Sequence, residues 1–267
     1  MKQFIKYISI AILFALTLIG NPAAKAEGMD FAQLIAADDV APGERLAKKI
    51  ELTTDALKMA DERVVDMRTK LEAIVFEDQT PELELRNKLI ERASGYSAFY
   101  NEKLTALTAV QTLEEVDLLI NEVIAYREGE YTTGAKEILE FTLVYAYTPS
   151  VLTLADQRLE NILKDVTRLE GLELIEPSVF VSRTDEAKTI LQKAHDLQTQ
   201  ASTLLIESYA TSTVDSAPSL EVESTEMPLE PEITPRLLAE QSLAEIKLLY
   251  ELFIETGEKV SETLGIN

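Results

Sequence analysis

The chain has 267 residues, 47 of them acidic and 25 basic, for a formal charge of −22, with no cysteine and a single histidine. A polyanion of this strength repels nucleic acid and anionic lipid headgroups, and no Lys/Arg-rich run overcomes that locally. The lack of cysteine excludes disulfides, thiolate zinc sites and a lipid-modified N-terminal cysteine.

Lys2 and Lys6 precede 13 uncharged residues from Tyr7 to Ile19, and Asn21-Pro22 breaks that pattern before Ala24-Lys25-Ala26. This is the layout of a secretory signal peptide over residues 1–26. Ala24 and Ala26 are small enough for signal-peptidase pockets, and processing is expected after Ala26. An uncleaved N-terminal membrane anchor is the competing reading, but the run falls short of the ~20 apolar residues that span a bilayer. Removing 1–26, which hold three lysines and no acid, takes the charge to −25. Residues 27–43 read as a short extension.

From Glu44 to Val75, the positions Leu46, Ile50, Thr53, Leu57, Ala60, Val64, Met67, Leu71 and Ile74 step alternately by four and three. Eight of these nine are apolar, which predicts a heptad seam on one long helix. Thr80-Pro81 opens a second helix, with threonine as cap and proline at the first helical position. Its apolar residues fall on two neighbouring tracks, Ile90, Ala93, Tyr100, Leu104 and Leu107 beside Leu85, Leu89, Tyr96, Phe99 and Val110. A face that wide suits a multi-helix bundle.

Thr112 and Glu115 predict a capping box at the start of a third helix. Gly129 and Gly134 predict a kink or short loop after it. Phe141 to Ala155 is an uncharged run of 15 residues, too short to span a bilayer, with a second Thr-Pro start expected at Thr148-Pro149. A strand at Phe141–Tyr147 is an alternative reading of its aromatic and β-branched residues. Leu152, Ala155, Leu159, Ile162, Val166 and Leu169 continue the helical spacing towards Gly171. Ala187, Ile190, Ala194, Leu197, Ala201 and Leu204 then alternate small with large residues, which lets a neighbouring helix approach closely.

Thr211 to Pro235 holds four prolines, six acids and no basic residue or glycine, the composition of an extended, disordered linker. Thr234-Pro235 opens a last helix with a seam at Ala239, Leu243, Ile246, Tyr250, Phe253, Gly257, Val260 and Leu264. The pattern as a whole predicts an all-α fold: an elongated antiparallel helical bundle with coiled-coil-like seams, of about five helices over residues 44–210. An acidic linker over 211–235 and a C-terminal amphipathic helix over 236–267 complete it.

Chemistry is sparse. His195 has Leu191, Gln192, Gln198 and Thr199 as its helical neighbours, so no carboxylate on its own helix orients it. Glu251, Glu255, Glu258 and Glu262 form a carboxylate stripe on outward positions, a solvated face before a weak calcium site. Tyr126, Tyr131, Phe141, Tyr145 and Tyr147 crowd the glycine break and the apolar run, as core packing before a ligand pocket. No catalytic residue, cofactor or metal ligand stands out, and no motif is strong enough to name a family. The chain reads as a non-catalytic, exported structural or protein-interaction module of the bacterial cell envelope, periplasmic or extracellular. It would meet another envelope protein, or itself, through the seams of its first and last helices. The alternative is an extracytoplasmic binding protein for a small apolar ligand or for divalent cations. Nucleic acid and stable membrane insertion after cleavage are not expected.

Overall fold

The structure is a computed structural model and describes residues 42–173, 177–212, 233–263 and 265. The leader with Ala24 and Ala26, nearly all of the N-terminal extension and most of the acidic linker lie outside these residues. The described residues are about 91% helical with no strand, an all-α bundle, so Phe141–Tyr147 is helical. The described residues form five helices: α1 (Pro42–Glu72), α2 (Pro81–Leu107), α3 (Leu113–Gly171), α4 (Pro177–Ser212) and α5 (Pro235–Thr263).

Four of the five begin on a proline, at the first helical position, where its missing N–H would have no intrahelical partner anyway. Thr80 and Thr234 cap two of these starts, accepting from Leu83 N at 3.3 Å and Leu237 N at 3.1 Å. α3 starts instead on the predicted capping box. Glu115 N donates to Thr112 Oγ1 at 3.2 Å, and Glu115 Oε2 accepts from Thr112 N at 3.2 Å.

The breaks expected at Gly129–Gly134 and at Thr148-Pro149 are absent as loops. α3 passes through both as π-helical turns, Arg127–Tyr131 and Leu143–Tyr147, so the described residues within 44–210 form four continuous helices. Thr132 N–H donates to Arg127 O, and Thr148 N–H to Leu143 O, each five residues back. A proline ring inside an α-helix collides with the carbonyl four residues earlier. The wider turn just before Pro149 moves that carbonyl aside, and the helix survives its proline. The uncharged run therefore sits within a 59-residue helix, the one among the described residues long and apolar enough, by length and composition, to cross a membrane. Its residues Phe141, Val144, Leu152 and Ala155 are buried within the fold.

The helices divide between two compact units. The first holds α1 up to Asp66, α2 from Ala93 and α3 up to Thr132; the second holds the remainder of these three with α4 and α5. In the first unit, Thr53, Leu57 and Val64 of α1, Ala93, Tyr96 and Tyr100 of α2, and Val116, Ile120 and Val123 of α3 are buried. Polar pairs join the same three helices: Lys49 with Asp117, Asp61 with Ser97, and Lys103 with Glu122 at 2.8 Å.

The second unit is built on a three-helix core, in which Leu152, Ala155 and Leu159 of α3 and Ala187, Leu191 and Ala194 of α4 meet Ile246, Leu249, Leu252 and Phe253 of α5. α4 and α5 are antiparallel: Arg183 pairs with Glu255 at 3.3 Å and Lys193 with Glu245 at 2.6 Å. Just beyond the second pair Ser242 Oγ donates to Ala194 O at 2.7 Å, a side-chain-to-backbone bond that only closely packed helices can make. The alanines of α4 allow it, since Ala187, Ala194 and Ala201 are buried one heptad apart. The buried face of α5 runs through Ala239, Ser242, Ile246, Leu249, Phe253 and Thr256, turned from the predicted seam, and Gly257 is exposed. Ser242 and Thr256 reach the core because their hydroxyls are satisfied by Ala194 O and Leu252 O.

Candidate functional site

The aromatic residues near the glycine break do not form one cluster. Tyr126 and Tyr131 belong to the first unit, and Phe141, Tyr145 and Tyr147 to the second. In the first unit Tyr126 and Tyr131 of α3 meet Tyr96 and Tyr100 of α2. Residues five apart in an α-helix point about 140° away from each other. The π turn, whose bonds join residues five apart, brings Tyr126 and Tyr131 onto one face instead. Tyr96 and Tyr100 already share a face, one α-turn apart.

Each α2 tyrosine then contacts each α3 tyrosine edge to face. The ring centroids lie 6.2 Å apart for Tyr96–Tyr126, 5.1 Å for Tyr96–Tyr131, 6.4 Å for Tyr100–Tyr126 and 6.1 Å for Tyr100–Tyr131. Adjacent rings are inclined by 64° to 89°. Phe99 stacks on Tyr126 at 3.6 Å. Tyr100 is wholly buried and its hydroxyl has no hydrogen-bond partner among the described residues.

Burial pushes the phenols of Tyr100 and Tyr131 above the ordinary value, with Arg127 pulling both down. Tyr126 is pushed up to about 12 by burial and by the Glu130 carboxylate. At neutral pH all three are protonated, so none serves as base or nucleophile. The rings meet edge to face, the arrangement that their quadrupoles favour in a packed core. The Arg127 guanidinium lies 5.8 Å from the Tyr131 centroid.

In the second unit Phe141 and Tyr145 pack with Phe76, at 6.0 and 5.2 Å, around the other π turn. Pro149 has no N–H, so the Val144 carbonyl, next in the π ladder after Leu143, has no backbone donor. Gln198 Nε2 of α4, buried, supplies that donor. Tyr145 Oη donates to Ser202 O at 3.2 Å, and burial raises its pKa. Thr148 Oγ1 and Gln198 Oε1 are buried beside this network without partners among the described residues.

The chain matches no family model, no curated protein and no solved structure.

His195 does face a carboxylate, from another helix: Asp156 of α3 has both oxygens 3.1 Å from His195 Nε2. The hydroxyls nearest along α4 are engaged elsewhere, Thr199 donating to His195 O and Ser202 to Gln198 O. The glutamate stripe on α5 is partly neutralised, Glu255 by Arg183 and Glu251 by Lys247 at 3.8 Å. Among the described residues no group of three or more His, Asp and Glu side chains gathers as metal ligands do. Sequence reasoning missed Tyr96, Tyr100 and Phe99 as partners of Tyr126 and Tyr131. The five-residue spacing of the two tyrosines around Gly129 was the available signal.

Proposed function

We propose that this chain is a non-catalytic, exported helical module of the bacterial cell envelope that works by contact with another protein. The observation that carries the reading is the use of its buried polar groups. Ser242, Gln198 and Tyr145 end on backbone carbonyls of neighbouring helices and hold the helices together, and Thr256 ends on Leu252 O within α5. The leader-like N-terminal sequence supports export, and the strong acidity favours partners with positive patches.

The seams of α1 and α5 are occupied within the chain's own units, so partner contact falls to outer faces. On α1, α3 and α5 these carry Met59, Leu118, Leu154 and Leu248 among exposed charges. Crosslinking in native envelopes, followed by identification of the joined protein, tests the proposal. A defined partner released by high salt is the expected result. Recovery of the chain only from the cytoplasm, with residues 1–26 intact, would overturn it.

A further inference from the structure

We draw no further inference here: the strongest candidate, the apolar surface patch on α3 of the second unit where Leu139 and Leu154 are exposed, carries nothing because nothing in the structure shows what covers it.

Discussion

The Glu140 carboxylate accepts the backbone N–H of Arg236 at 3.0 Å, so an acid bordering the most apolar run of α3 holds the first turn of α5. A helix N-terminus offers free N–H groups and a partial positive charge, and a carboxylate from a neighbouring helix satisfies both. With Thr234 capping from within, the start of α5 is fixed on both sides.

Burial holds the Glu140 carboxyl above its ordinary value of 4.5, against the Arg236 N–H and charge, which lower it. The folded chain therefore keeps this proton where the unfolded chain has lost it. Its contribution to stability is greatest below pH 4.5 and falls as pH rises through the native value. Glu140→Gln retains the acceptor without the charge. Urea midpoints should show its stability relative to the original rising between pH 4.5 and 7; a relative fall over that range would contradict the sign.

Gln198 and Pro149 should be energetically coupled. Gln198→Leu strands the Val144 carbonyl in the core and is expected to cost about 1–3 kcal/mol. Pro149→Ala restores an N–H that can reach that carbonyl, so in its background the Gln198 substitution should cost measurably less. A double-mutant cycle with additive losses would show that the two residues do not share the carbonyl.

The contact of α4 with α5 depends on small residues. Ala194→Leu is expected to destabilise by about 1–3 kcal/mol through overpacking. Ser242→Ala, which removes only the bond to Ala194 O, should cost about 1 kcal/mol. Hydrogen exchange should show the loss first in α5. Uniform acceleration across all five helices would mean that α5 does not open separately.

Alkaline unfolding should be tied to the phenols. Tyr100, Tyr126, Tyr131 and Tyr145 are raised by burial, so the unfolded chain loses these protons near pH 10 while the folded chain keeps them. Stability from this source is complete below pH 10 and is lost as pH rises towards the native values. Tyrosinate absorbance and helical circular dichroism should change together above pH 10. A full tyrosinate signal with the helix signal intact would contradict the assignment.

The sequence carried the α1 seam well, since all nine predicted positions are buried or half-buried. That face is almost entirely apolar, and spacing alone locates it. On α5 the same reasoning landed off-axis. Ser242 and Thr256 are core residues whose hydroxyls find carbonyls, a property of packing that hydropathy does not carry. Gly129 and Pro149 were legible as disturbances but not as π turns, because a proline that ends an isolated helix can be absorbed when neighbouring helices satisfy the freed carbonyl. The Tyr126–Tyr131 pair was visible, whereas Tyr96, Tyr100 and Asp156 come to Tyr126, Tyr131 and His195 from other helices, and one-dimensional spacing holds no record of that.

The π turns also bear on how the length of this chain can change. Each holds one residue more than the α-turn it replaces, the mark left by a single-residue insertion in a helix. Elsewhere in α3, losing a residue would rotate everything beyond it by about 100°. Deleting Gly129 would instead close the first turn to α geometry and leave the flanking faces where they are, at the expense of the Tyr126–Tyr131 alignment. The second turn has no such freedom, because closing it drives the Pro149 ring into a carbonyl. Relatives of this chain can therefore differ by one residue at the first turn, and an alignment that forbids gaps inside helices would misplace the residues around Gly129.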